Sequence, residues 1–541
     1  MADSVQLASR GIQGKTIGLV LLLVVLAFIV RAMTMVNGWT LDGDECQMVN
    51  LVITNNWDTL WTAVNNDGNP PLMYVVLKLW SSLFGTGDVA FKAAVMIVSC
   101  AIPPAVFLGM RGQLGQTRAL IIGLLCCLCP ALVDDTTRVR SYGLMVLIGF
   151  WSILLFSKLM ENPKSRVNQV LWAVCNSALV YSHLSAAMVP LAEGMYVCLD
   201  FLILRRDWHR IKGFFWAGIV AIILILPLIF SVVYGAHGEP VPWRIVAPLS
   251  ATQFLPNIAL SLWEPYMHMD PIPLLLFVQA VFWSVIILAP ILSRKLAAIY
   301  PAFPARLWAF TTFAMLLVQL VVTLAIIRPA YSIHFTVPIL IMLVAITTAL
   351  LPMEAVPKLK KYLPAAVLPL LLGLWLWELS IMHDQQLPTM KNLIDVVNSD
   401  VPDGKPALLV VSTEWYGPVV YRYLRPDLDF LSFPEVDKVP VINWHKLTDR
   451  LADQKRMPPL LEKIQARLDA GQPVYHLYVV LGKRRLKKLF ELTRANTLAI
   501  DSYLQAHGRR VQFWQGQCFQ SPGYADWLEI DKFVPLTNSV R

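Results

Sequence analysis

The chain has 541 residues, of which 56% are hydrophobic and 15% charged, with a net charge of +9 and a mean hydropathy of +0.57. Soluble proteins are about one quarter charged, so this composition excludes an ordinary soluble enzyme and leaves a polytopic membrane protein. The positive balance then reports topology and anionic lipid rather than nucleic acid.

A helix needs about 20 largely apolar residues to cross roughly 30 Å of hydrocarbon. Such segments lie near 17–36, 89–108, 119–133, 142–156, 171–181, 186–204, 214–233, 274–292, 307–327, 335–351 and 365–381, which makes about eleven crossings. The fifth is short and needs extension at both ends. The first is followed by acids rather than a small-residue cleavage site, so it reads as a retained helix and not as a secretory signal.

Basic residues of short loops stay in the cytoplasm. One set of alternate connections carries Arg10 and Lys15, Arg111 and Arg118, Lys158, Lys164 and Arg166, Arg205, Arg206, Arg210 and Lys212, and later Arg294, Lys295, Arg306, Lys358, Lys360 and Lys361. That face is cytoplasmic and holds the N-terminus. An odd number of crossings in the plasma (inner) membrane puts the C-terminal residues outside. The opposite loops have few basic residues, chiefly Lys78, Arg138, Arg140, Arg244 and Arg328.

Three stretches outside the bilayer stand out within a membrane domain at 1–388 and an α/β domain at 389–541. The first, 37–88, has a polar helical stretch at 46–54 and an amphipathic, Pro-initiated one at 71–84 that suits the interface. The second, 234–271, is Pro-rich and contains Trp243, Arg244, Trp263, Glu264, Tyr266 and His268; it is either a lid or an interfacial anchor. In the third, helices are expected at 417–424, 460–470 and 486–507, and strands at 474–480, 511–514 and 528–533, after a short apolar run at 407–412. Basic residues from Lys483 to Lys488 mark a solvated helix start. Of eight cysteines, six fall in or beside spans and only Cys46 and Cys518 face outward, so no disulfide framework is implied.

The chemistry concentrates at Asp42-Gly43-Asp44-Glu45, directly after the first span. Asp44 and Glu45 point about 100° apart on a helix, so one can face a cavity while the other caps or pairs. Asp42 or Asp44 would also serve simply as an N-cap. Further groups recur at outward helix ends: Asn69-Pro70-Pro71-Leu72, Arg138-Val139-Arg140-Ser141-Tyr142, Tyr181-Ser182-His183, and Arg328-Pro329-Ala330-Tyr331 with His334. A lone outward Arg is commonly a snorkelling residue, and a lone His a satisfied interhelical one. No phosphate-cradling Gly-rich loop ends in Lys-Ser/Thr, and no His cluster has zinc spacing.

This order of motifs resembles the bacterial branch of the family 39 glycosyltransferases, in the GT-C superfamily that includes protein O-mannosyltransferases and the lipid A aminoarabinose transferase. The resemblance covers roughly residues 17–350 in layout. It implies an α-helical integral membrane GT-C bundle with an extracytoplasmic α/β domain, and transfer of a monosaccharide from a polyprenyl monophosphate donor to an acceptor hydroxyl on a lipid, polysaccharide or protein. The acid pair matches Asp44 and Glu45 as catalytic residues, with Asp44 the general base. Asn69 stands where the family has a basic residue. Arg140 and Tyr142 keep part of a Gln-Glu-x-Arg-x-Tyr element whose acid is absent, and Asp134 or Asp135 either replaces it or is a plain loop residue.

By the same resemblance, the donor phosphate falls to Arg140 and Arg328, then Arg138, Lys78 and His334. Substrate contacts fall to Asp42, Asn69, Tyr142, His183 and Tyr331. Asp42 and Asp44 also have the spacing of a metal-binding pair, but a monophosphate donor needs little charge neutralisation, so no cofactor is expected to be required. A different class of answer is a transporter or flippase of lipid-linked saccharides, which would carry ionisable groups near the bilayer midplane. The mid-span positions read as nearly charge-free, which favours the enzyme. In a third reading, a structural or binding protein, the acids only cap helices.

Overall fold

The computed structural model describes residues 2–35, 39–67, 69–204, 208–235, 372–373, 375–377, 379–380, 390–442, 447–480, 488–521 and 524–536. Four of the described helices are long and apolar enough to cross a membrane, with spans at Gly14–Met33, Asp88–Leu114, Tyr142–Glu161 and Ile211–Phe230. They belong to α1 (Ala2–Thr34), α5 (Asp88–Leu114), α8 (Tyr142–Glu161) and α11 (Trp208–Gly235). Leu21, Val25 and Phe28 of α1 and Ile222 and Phe230 of α11 are exposed, the outward apolar face that lipid requires.

The helix α9 (Arg166–Ser182) extends the short fifth segment at both ends, as its length demanded. Two expected spans are interrupted. The third is α6 (Gln116–Leu128) followed by α7 (Pro130–Thr137), broken at Cys129 with φ −67° and ψ 113°, because a residue before proline is driven out of the helical region. The sixth is a 3-10 turn at Leu184–Ala187, then α10 (Met188–Leu199), then a π-helical turn at Asp200–Leu204. Arg31 of α1 donates to Ser99 Oγ on α5, which in turn bonds Thr136 on α7, so the broken element is tied to both neighbours.

The mid-span positions hold at least one ionisable side chain. Glu193 on α10 is fully buried, and its carboxylate bonds Ser152 Oγ at 3.1 Å and Trp172 Nε1 at 2.9 Å. A single acid inside an apolar run survives there because α8 and α9 bring it hydrogen-bond partners.

Between α1 and α5 the chain forms α2 (Gly43–Thr54), α3 (Trp57–Asp67) and α4 (Leu72–Phe84). The α3 helix was not expected. Its run WDTLWTAVNND buries Leu60 and Val64, one turn apart, among mostly polar positions, and its exposed Trp57 and Trp61 are the residue type that favours a membrane interface.

The C-terminal residues give α12 (Met390–Asp400), β1 (Leu408–Val411), α13 (Gly417–Tyr423), β2 (Asp429–Ser432), α14 (Leu447–Ala452), α15 (Met457–Asp469), β3 (Val474–Val480), α16 (Lys488–His507), β4 (Gly508–Ser521) and β5 (Tyr524–Pro535). The sheet order is β2-β1-β3-β5-β4, with β1 parallel to β2 and β3, and β5 antiparallel to β3 and β4. One sheet face packs on α14, α15 and α16 through Val410, Leu460, Ile464, Ile500 and Leu504. The other shares a single hydrophobic core with α2, α4 and α5, in which Leu409, Val411, Val420 and Leu477 join Val49, Val52, Tyr74 and Phe91. The sheet layer is therefore built onto the end of the bundle where α5 and α8 begin.

Candidate functional site

The start of α2 is fixed by a reciprocal cap. Asp42 has an extended backbone; its Oδ1 accepts from the Glu45 N–H at 2.8 Å, and Glu45 Oε2 accepts from the Asp42 N–H at 2.8 Å. An Asp thus fills the Ser/Thr position of a capping box. The cap turns Glu45 inward, to 1% exposure. There its oxygens meet Lys92 Nζ of α5 at 2.6 and 2.9 Å and the Val139 N–H at 2.6 Å. Glu45 thereby joins α2 to α5 and to the 138–141 turn. Burial and the nearby Glu45 carboxylate push Asp42 up to about 7, against the pull of Arg138.

One residue earlier in the same turn, Asp44 points the other way. Its side chain is 64% exposed, and Oδ2 lies 2.8 Å from Arg140 Nη2. The Arg140 side chain is 13% exposed, and its buried Nε has no hydrogen-bond partner among the described residues. Burial alone would lower the Arg140 guanidinium, but Asp44, Tyr142, Tyr74 and Asp67 outweigh it and hold it well above its ordinary value. A cation whose fork is only partly used, next to an open carboxylate, can take an anionic oxygen as well.

Other expected residues cluster around this pair. Tyr142 begins α8 and its ring lies 5.9 Å from that of His183, the C-cap of α9. Arg138 Nη2 pairs with Asp134 at 3.0 Å across one helical turn, and Asp135 is buried beside it. Asn69 donates to Asp67 Oδ2 at 2.7 Å.

Lys78 is placed elsewhere. Its Nζ donates to the carbonyls of Val52 and Asn55, at 2.7 and 2.5 Å, capping the far end of α2. Eleven residues at 1.5 Å each put that end about 16 Å from Asp44 along the axis. Arg328, Tyr331 and His334, and almost all of the 234–271 loop, lie outside the described residues. Cys46 is fully buried at the start of α2.

Two groups escaped the sequence reading. Lys92 lies within the second expected span, 89–108, among apolar neighbours. Asp67, on the unexpected α3, is 8% exposed and accepts hydrogen bonds from Gln47, Asn69 and the Tyr74 hydroxyl. An acid two residues before Asn-Pro-Pro was the available signal. Among the described residues no group of three or more His, Cys, Asp or Glu side chains is arranged to hold a metal.

The C-terminal layer is pinned to the same helix. Tyr423 Oη accepts from the Leu41 N–H at 2.8 Å and donates to Asp88 Oδ2 at 2.6 Å. Arg422 also pairs with Asp88. Asn50 Nδ2 donates to the carbonyls of Pro418 and Pro440, at 2.9 and 2.8 Å.

No protein-family model matches the chain, and no curated protein matches it significantly. Solved structures do. ArnT from Cupriavidus metallidurans in the apo state superposes with a TM-score of 0.57 at 14% identity over 96% of this chain and 98% of that one. Bound to undecaprenyl phosphate, it gives 0.56 at 13% identity over 97% and 98%. The Archaeoglobus fulgidus oligosaccharyltransferase tethered with an acceptor peptide gives 0.52 at 10% identity over 94% of this chain and 74% of that one. The chain therefore shares its fold with ArnT and with the Archaeoglobus fulgidus oligosaccharyltransferase, a helical bundle with a C-terminal domain.

Proposed function

We propose that the chain is a membrane glycosyltransferase that moves a monosaccharide from a polyprenyl monophosphate to an acceptor hydroxyl at the extracytoplasmic surface. The observation that carries this reading is the exposed Asp44 carboxylate, 2.8 Å from a partly buried Arg140 on a fold shared with a protein solved with undecaprenyl phosphate. In the reaction, Asp44 accepts the proton of the acceptor hydroxyl as its oxygen attacks the anomeric carbon. The anomeric carbon–oxygen bond breaks, and the electron pair leaves on the polyprenyl phosphate. A positioned base is worth about 10²–10⁴-fold.

Arg140 is the phosphate cation in this reading, with Arg138, Arg328 and His334 as further candidates. Tyr142, His183, Asn69 and Tyr331 are assigned to substrate, and Asp42 to the cap that aims Asp44. Glu45 becomes a positioning group, since its oxygens meet Lys92 and two backbone N–H groups. Lys78 drops out of the phosphate set because its ammonium closes α2.

Among the described residues, the buried Glu193 is a feature that fits a transporter of lipid-linked saccharides. It is hydrogen-bonded across α8, α9 and α10, however, which makes it a clamp between helices. The test is transfer of labelled sugar from a panel of polyprenyl-phosphate monosaccharides to native membrane extract by purified protein. Transfer by wild type that is lost in a folded, donor-binding Asp44→Asn supports the enzyme. Movement of donor between leaflets without transfer supports the transporter.

A further inference from the structure

Gln47 lies one helical turn after Asp44 on α2 and is 3% exposed. Its side-chain amide docks on the backbone of Ile442 in the C-terminal layer: Oε1 accepts from the Ile442 N–H at 2.8 Å and Nε2 donates to the Ile442 carbonyl at 3.2 Å. These two bonds fix which way the amide faces, because only the nitrogen end can donate. The second Nε2 hydrogen goes to Asp67 Oδ1 at 2.8 Å. The other Asp67 oxygen takes Asn69 and the Tyr74 hydroxyl. Both of its oxygens are thus held by neutral donors, while Asp67 and Tyr74 lie within the electrostatic reach of Arg140.

We propose that Gln47 is a positioning residue through which the C-terminal layer, via the Ile442 backbone, keeps Asp67 bonded to neutral donors and so leaves Arg140 available to Asp44 and the donor phosphate. This rests on the glycosyltransferase reading above. Without the amide, Asp67 loses a donor in a buried place, and an acid so deprived draws on a cation within its electrostatic reach, here Arg140. Arg140 would then be drawn from Asp44 toward Asp67. The C-terminal layer becomes part of the site's geometry, although none of its side chains touches the Asp44–Arg140 pair among the contacts described.

Asn50 supplies the control. It lies on the same helix and makes two bonds to the same layer, at Pro418 and Pro440, but among the described residues its side chain bonds to no acid. Full-length wild type, Gln47→Leu, Gln47→Glu and Asn50→Leu are compared for transfer from a polyprenyl-phosphate monosaccharide, with melting temperature as the fold check. The expected result is a donor KM raised about tenfold or more in Gln47→Leu and little change in Asn50→Leu.

Gln47→Glu adds a readout that a merely structural role would not move. A protonated Glu can accept from Ile442 and donate to Asp67, whereas an ionised one repels Asp67. The charged and titratable groups around it are Asp67 on α3, Tyr74 on α4, Arg140 beyond them and Asp44 on α2 itself. Its activity relative to wild type should therefore be low at neutral pH and recover in acid. Equal losses in Gln47→Leu and Asn50→Leu, or a Gln47→Glu profile parallel to wild type, overturn the proposal.

Hydrogen exchange over 62–74 and 138–142 on the same proteins gives an answer that does not depend on turnover. Protection lost in Gln47→Leu and kept in Asn50→Leu supports the relay. Unchanged protection in both overturns it, even where wild type transfers no label and the enzymatic reading itself has failed.

Discussion

Lys92 and Glu45 form an ion pair with side-chain exposures of 7% and 1%, and both carboxylate oxygens lie within 2.9 Å of the ammonium. Removing one member of a buried pair leaves an uncompensated charge and costs about 3–5 kcal/mol. Lys92→Met should therefore lower stability strongly, and Lys92→Met combined with Glu45→Gln should recover much of the loss, because the stranded charge is gone. Chemical denaturation in detergent checks the order. A single variant as stable as wild type would show that the pair does not hold α2 to α5.

The Asp44–Arg140 contact should behave in the opposite way. With Asp44 64% exposed, solvent screens the pair, and such pairs contribute about 0–1 kcal/mol. Asp44→Asn is expected to melt close to wild type while transfer falls by about 10² or more. Large destabilisation with residual transfer in proportion to folded protein would mean that Asp44 is only a structural partner of Arg140.

Asp42 gives a pH signature. Burial and Glu45 raise it to about 7 in the folded protein, against about 3.9 for a free aspartate. A raised folded value means that its stability contribution is complete below about 4 and is lost as pH rises through about 7. Asn caps helices as well as Asp, so Asp42→Asn should keep the cap and remove this slope. Melting temperatures between pH 4 and 7.5 should then diverge in favour of the variant as pH rises. Parallel curves would mean that Asp42 titrates normally.

How much of this was legible in the sequence depends on how local each signal is. The run Val474–Val480 became β3 with the expected ends, and Asp42 capped α2 as its position before Gly43-Asp44-Glu45 allowed. The unforeseen elements are those held by distant partners. Asp429–Ser432 is a four-residue strand, too short to show a period, and it exists because β1 lies beside it. The α3 helix leans on α2 and α11, so its acid Asp67 reads as loop until those neighbours are in place. Lys92 and Glu193 fall inside apolar runs whose hydropathy masks one polar residue, and nothing local announces that Glu45 or Trp172 will meet them.

Tyr423 tests whether the C-terminal layer supports the α2 start. Its hydroxyl accepts from Leu41 N–H, next to the Asp42 cap, and donates to Asp88 at the start of α5; burial and nearby Cys46 and Asp88 hold that hydroxyl far above its ordinary value, so it stays a donor. Tyr423→Phe leaves the Leu41 amide without its partner, a loss of about 1–3 kcal/mol. Faster proteolysis within 39–56 is the expected sign, and an unaltered cleavage pattern would place the support elsewhere.

Glu193 separates the two functional readings. Its carboxylate takes Ser152, Trp172 and Asn176 from two neighbouring helices. As a clamp, Glu193→Ala should destabilise the bundle by about 1–3 kcal/mol, toward the lower end because interhelical bonds in membranes are individually weak. Glu193→Gln, similar in shape, can accept from Trp172 and Asn176 through its one oxygen while its amide nitrogen donates to Ser152 Oγ, and should be milder. In both variants sugar transfer per folded molecule should match wild type, since the residue lies in the bundle core and not at the Asp44–Arg140 end. A carrier would behave differently: Glu193→Gln would stay folded yet stop movement of the lipid-linked sugar between leaflets. Measuring transfer and transbilayer movement on the same reconstituted vesicles distinguishes the two, because a clamp changes neither rate per folded molecule and a carrier loses the second.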